Sequence, residues 1–253
     1  MTTRWLLTIV FGSTLSLGSL LAGDPPAPPK LSTVAPAADL VAQAKLYVEA
    51  FGKGLASEQD YKDNADRIKR DANTLTALAL VLGNHDADND LKAAAPALIG
   101  ASQELAKAAD YAAAKSALEN VRSAIDGKGE QAAKAAAPKW AKVASMGQLM
   151  KQVTFVNNRL KRSMRRFGKQ NEEQARDAAV LAAIAQAVVY DTHEVKNPGD
   201  LDRWYQLCGQ MRDAAGELNA KVSLADKAGA EAALLKLAQS CDDCHKVFRI
   251  EEK

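Results

Sequence analysis

Two of the chain's three cysteines and one of its three histidines stand together in SCDDCHKVFR, residues 240–249. Cys-x-x-Cys-His is the attachment signature of c-type haem. On a helix the spacing puts Cys241 and Cys244 on one side, from which both thiols can add to the vinyl groups of a porphyrin. His245 is then directed at the iron as proximal ligand. Three other chemistries use the same residue types. A redox dithiol expects a strand leading into the helix, and no strand pattern is visible. Zinc needs further ligands, and a His adjacent to the second Cys is poorly placed to complete a tetrahedron. A disulfide between Cys241 and Cys244 leaves His245 without a role. One covalently attached haem c accounts for all three residues.

The elements that must hold this group follow from composition and period. Hydrophobic residues make up 47% of the chain and aromatics 5%, with Ala supplying long stretches free of Gly and Pro, which is a helical composition. A helix over 226–249 carries Ala230, Ala233, Leu234, Leu237, Cys241, Cys244, His245 and Phe248 on one stripe, so the motif is expected to face the core. A helix over 199–221 carries Leu201, Trp204, Tyr205, Cys208, Met211, Ala215 and Leu218 in the same way. One over 139–167 contributes Met146, Leu149, Met150, Val153, Val156, Leu160, Met164 and Phe167. Polar or Gly/Pro-bearing breaks divide the chain into about eight helices.

The halves of the chain can be laid over each other. RDANTLTALAL (70–80) matches RDAAVLAAIAQ (176–186), and DYAAAKSALENVRSAIDGKG (110–129) runs against DKAGAEAALLKLAQSCDDCH (226–245). The expected fold class is all-α, with two tandem antiparallel four-helix bundles, 39–130 without haem and 131–253 with covalent haem. One irregular helical domain is the alternative. In this alignment Ile125 and Gly129 stand opposite Cys241 and His245, Ala94 stands opposite Trp204, and Pro96 interrupts the corresponding helix. The first half thus lacks both attachment and proximal ligand.

Residues 1–23, apolar after a single Arg, look like a secretory signal, and the Pro-rich 24–38 like a disordered tether. The expected location is periplasmic or otherwise exported, with membrane contact only if the first segment stays uncleaved. A net charge of +2 gives no case for a nucleic-acid partner. His85 and His193 fall in polar loops and are expected to be exposed; Cys208 is expected to be a buried free thiol. The run RLKRSMRRFGK, with Arg159, Lys161, Arg162, Arg165, Arg166 and Lys169, reads as a solvated face complementing a helix C-terminus, or as a dock for an acidic partner or anionic lipid.

CDDCHKVFR, the upstream DLDRWYQLCGQMRDAAGEL and RDAAVLAAIAQAV together resemble the cytochrome c prime family and its low-spin relatives, over roughly residues 139–253. The resemblance implies a four-helix bundle with haem near the end of the last helix. It also implies a sixth iron position that is either open beneath an apolar side chain of the first helix or filled by a Met from it. Met150 is the candidate ligand in SMGQLMKQV and Met146 the runner-up; the first half offers only residues around Ala44 to Leu46 there. Arg249 stands where the family carries a basic residue, one turn beyond His245, and either meets the haem surface or is a solvated terminal Arg. The expected function is one-electron transfer with His/Met axial ligation to a redox partner protein. The alternative is a five-coordinate haem that binds nitric oxide or carbon monoxide; no enzymatic activity is implied. Family members dimerise through their first two helices, so the two halves are expected to form an intramolecular pseudo-dimer, or the chain a homodimer; beads on a linker are the other possibility.

Overall fold

The computed structural model describes residues 23–127 and 136–249, in which eight α-helices and no strands occur. They are α1 (Ala37–Gly54), α2 (Glu58–Gly83), α3 (Ala95–Lys107), α4 (Tyr111–Ile125), α5 (Met146–Ser163), α6 (Asn171–Val188), α7 (Leu201–Ser223) and α8 (Lys227–Phe248). The chain is all-α, as expected. Several starts are written in the sequence. Ser57 accepts the Asp60 N–H at 3.1 Å, Asp110 that of Ala113 at 2.8 Å and Asp226 that of Gly229 at 2.9 Å, each satisfying a donor that a helix N-terminus leaves open. The expected signal segment, 1–22 of it, and the expected boundary at 130/131 lie outside the described residues.

Neighbouring helices pack in order along each half: α1 on α2, α2 on α3, α3 on α4, and α5 on α6, α6 on α7, α7 on α8. The halves also meet, because α2 packs on α5 and α6, and α1 on α6. One continuous apolar core results, so the chain is not two beads on a linker. At its centre, residues 71–83 of α2 and 177–188 of α6 are buried on every side. That is why these stretches are Ala- and Leu-rich all round rather than striped. Gly83 is needed there, since a Cβ would stand 2.6 Å from Pro138 and 2.7 Å from Ala95.

The buried positions of the halves coincide. Leu40, Gln43, Ala44, Tyr47 and Phe51 of α1 match Leu149, Gln152, Val153, Val156 and Leu160 of α5 one for one at constant spacing. Ala95, Leu98, Ala101, Ser102 and Leu105 of α3 match Cys208, Met211, Ala214, Ala215 and Leu218 of α7. Ala114, Ala117, Val121 and Ala124 of α4 match Ala230, Ala233, Leu237 and Ser240 of α8. Two expected equivalences change. Leu91, not Ala94, stands opposite Trp204, and Val41, not Ala44 to Leu46, stands opposite Met150. For Met150 the reason is that the α5–α6 connection, with its extra 3-10 turn at Met164–Arg166, is longer than the α1–α2 connection; for Trp204 it is that α7 begins at Leu201, seven residues before Cys208, whereas α3 begins at Ala95, the match of Cys208.

Other expectations are corrected. The Pro-rich segment is no free tether: Leu31 and Ala35 are buried, and the Tyr190 and Tyr205 hydroxyls donate to the carbonyls of Pro26 (3.3 Å) and Gly23 (3.4 Å). Val34 presses on α7 at Gly216, where a Cβ would come within 2.8 Å of its backbone. Pro96 does not interrupt α3 but begins it, at a position whose N–H has no intrahelical acceptor anyway. Helix α5 starts at Met146 rather than 139. The residues before it are held elsewhere: Trp140 stacks on Tyr190 at 4.9 Å, and the Ser145 N–H donates to Asn73 Oδ1 at 2.8 Å.

Candidate functional site

Helix α8 sets Cys241 and Cys244 half-buried against the core, both as free thiols. His245 is exposed, which corrects the expectation that the whole motif faces inward. The physical reason is the angular width of the stripe. Ala230, Ala233, Leu237 and Ser240 form its buried centre, and Phe248 meets Trp204 of α7 edge-on at 5.1 Å. His245 lies to one side, on a flank with Leu234, Ala238 and Cys241 that turns away from α7.

Within the first half, α4 packs directly on α1; among the described residues, no close α5–α8 packing mirrors it. Helix α5 nevertheless bears on the motif, since the Lys161 charge is felt at Cys241. Met146 and Met150 are half-buried beside the core of α5, on the same side of that helix as Lys161. Arg249 caps α8, its N–H reaching the His245 carbonyl at 3.2 Å, and its side chain is exposed.

The thiols are not tuned for redox exchange. Burial pushes the Cys241 thiol up, and burial together with Cys241 raises Cys244 to about 11. A dithiol oxidoreductase needs the opposite shift. Cys208, close behind Cys244, is buried and raised by burial first and by Cys244 second, as expected of an interior free thiol. Among the described residues no three His, Cys, Asp or Glu side chains gather in the way a zinc tetrahedron requires. Two reduced thiols on the inner side of a helix, beside an accessible imidazole, are a donor set that fits a thioether-linked haem.

Two expectations about polar residues divide. His193 is exposed in its loop, with Nδ1 2.9 Å from Asp191. His85 is not: it is 1% exposed, Nδ1 accepts the Ala87 N–H at 3.0 Å, and Nε2 therefore donates to the Ala35 carbonyl at 2.9 Å. It pins the Pro-rich segment, a partner fifty positions away that a loop reading cannot foresee. Of the basic run, Lys161, Arg162, Arg165, Arg166 and Lys169 are exposed, whereas Arg159 turns inward to form a two-toothed pair with buried Asp177.

Sequence reasoning missed a second feature. Two clefts open around α1 and α2, neither lined by Cys241, Cys244 or His245, and one of them reaches α5 and α6. The signal available for it was the paired Arg-Asp of 70–71 and 176–177. No family model matches this chain, and no curated protein or solved structure matches it either.

Proposed function

We propose that the chain is an exported monohaem c-type cytochrome that transfers single electrons to and from a redox partner protein. The observation that carries this reading is the last helix: two free, half-buried thiols and an adjacent accessible imidazole lie on or beside a flank on which no other described helix packs closely. Haem held there supplies an iron that cycles between two oxidation states. The chain's own part is positional. The Cys241 and Cys244 thiols would add across the two vinyl groups of the haem, each sulfur to one vinyl carbon and each thiol proton to the other, and so hold it against α8 as thioethers. His245 offers a ring nitrogen to the iron from the same helix. Trp204 and Phe248 hold the end of α8 on α7, and Met150 or Met146 offers a thioether sulfur from α5.

The matched burial of the halves supports a tandem duplication of a four-helix unit, the second unit keeping the haem. Their contact through α1, α2, α5 and α6 supports an intramolecular pseudo-dimer. Half-burial of Met150 beside the core favours the His/Met form over an open iron.

Absorption spectra of the purified protein, oxidised and reduced, test the ligand set. A low-spin reduced spectrum that becomes high-spin in Met150→Ala supports it. A low-spin spectrum lost only in Met146→Ala moves the ligand one turn. A high-spin reduced wild type ends the Met proposal and leaves the gas-binding alternative.

A further inference from the structure

At the crossing of α1, α2, α5 and α6 lies a cleft of about 200 Å³, remote from Cys241 and Cys244 in both sequence and lining. Both halves build it from equivalent positions: Gln43 with Gln152, Leu46 with Phe155, and Arg70 with Arg176. Four arginines, Arg67, Arg70, Arg159 and Arg176, line it with two carboxylates, Asp71 and Glu173, and a third carboxylate, buried Asp177, is paired with Arg159. Arg70 is committed to Asp71, with Nε and Nη2 at 3.0 and 2.9 Å from one oxygen, and Arg159 to Asp177. Both also lie over the Phe155 ring, at 4.4 and 5.4 Å. Arg67 is held more loosely, its Nε 3.5 Å from Asp71, and Arg176 has Nη1 4.0 Å from Glu172, so each guanidinium keeps further N–H groups for another acceptor.

Two residues that line this cleft each hold a buried polar atom without a partner. Gln152 is 1% exposed; its Nε2 donates to the Tyr47 hydroxyl at 2.8 Å, and its Oε1 is left without a donor. Arg176 Nε is buried and left without an acceptor. Open groups of this kind are costly in a folded interior and call for a bound species. That species must accept from a guanidinium and donate to an amide oxygen. The exposed apolar side chains of Leu46 and Phe155 at the same cleft add a requirement for carbon.

We propose that this cleft binds a small hydroxycarboxylic acid. The carboxylate takes the free edges of Arg176 and Arg67, the hydroxyl donates to Gln152 Oε1, and the hydrocarbon part lies between Leu46 and Phe155. The site exists only because two equivalent helix pairs meet, so it belongs to the joined chain and to neither half alone. It does not depend on haem being present.

Isothermal titration of the purified full-length protein tests the site, with lactate, propionate and inorganic phosphate as separate probes. Lactate is expected to bind saturably. Propionate, which lacks the hydroxyl, should bind at least about tenfold more weakly, since it leaves Gln152 Oε1 unpaired. Arg176→Lys should weaken lactate about tenfold by removing the Nε donor while keeping the charge. Gln152→Glu should abolish binding by placing a carboxylate against the ligand's own. Phe155→Ala, at an exposed ring whose loss does not threaten folding, should weaken lactate but not phosphate. No saturable lactate binding at millimolar concentration overturns the proposal, with water then serving the two open atoms. Lactate affinity equal in wild type, Arg176→Lys and Phe155→Ala overturns it by moving the binding elsewhere. Phosphate binding more tightly than lactate overturns the organic assignment.

Discussion

The C-terminal ends of α4 and α8 occupy matching places and have become different objects. Helix α4 has 15 residues and stops at Ile125, the position that matches Cys241; α8 has 22 and runs on through Cys244, His245 and Phe248. Helix α7 is longer than α3 by the turns at its start, 23 residues against 13, and those turns carry Trp204. The two extensions meet, Trp204 against Phe248. Among the described residues, the Cys241–His245 group therefore lies on a helical extension that the first half lacks. In the first half the matching position, Leu91, lies in a turn before α3, and α4 closes directly on α1. The difference teaches that the two helix ends have diverged in length and in anchoring: the longer one carries Cys241, Cys244 and His245 and is tied down at its tip by Phe248 on Trp204.

The sharpest way to break this comparison is to exchange its distal residues. Met150→Ala should convert the spectrum from low-spin to high-spin, whereas Val41→Ala at the equivalent place should leave it untouched. An unchanged spectrum in Met150→Ala removes the asymmetry. Next in size, Trp204→Ala should cost about 3–5 kcal/mol in denaturant unfolding, as expected for truncating a buried Trp. Its Nε1–H bond to the Val188 carbonyl at 3.2 Å is lost as well. Hydrogen exchange should quicken at 241–248 and not at 114–125. Equal acceleration in both places argues against a separately anchored extension.

The halves share one response to pH and differ in another: burial raises Asp71 as it raises the matching Asp177, whereas Asp86 has no raised counterpart. Burial pushes Asp177 up to about 6 against the pull of Arg159, so its ionised form is disfavoured in the fold. The folded state then binds more protons than the unfolded one between about pH 4 and 6, and stability falls as pH rises through that window. Asp177→Asn should flatten this part of the stability curve. Asp86, in the first half, is opposite in sign: the Ser32 hydroxyl and N–H hold it down at about 2. Its contribution is present above the ordinary carboxylate range and lost as pH falls from about 4 to 2. Ser32→Ala should bring the smallest loss of the four, seen at neutral pH and vanishing near pH 2.

What the sequence made legible was local. Helices α7 and α8 fall within two residues of their expected bounds, because an unbroken apolar stripe is read directly from neighbouring residues. The Cys241–His245 group is equally local. The misses share one cause, a partner distant in the chain. His85 is buried because the Ala35 carbonyl comes to it, and residues 139–145 leave the helix for Tyr190 and Asn73. Arg159 leaves the basic run for Asp177. The cleft between the halves was invisible for the same reason, as none of its four helices holds more than a fragment of it.

Covalent haem on α8 is the claim on which the functional reading stands. It is tested most directly by mass spectrometry of the denatured protein, purified from cells shown to mature another c-type cytochrome. The account predicts a polypeptide heavier by one haem, reduced to the bare chain in Cys241→Ser/Cys244→Ser. Wild-type protein at the mass of the bare chain, with Cys241 and Cys244 both still titrating as thiols, would contradict it.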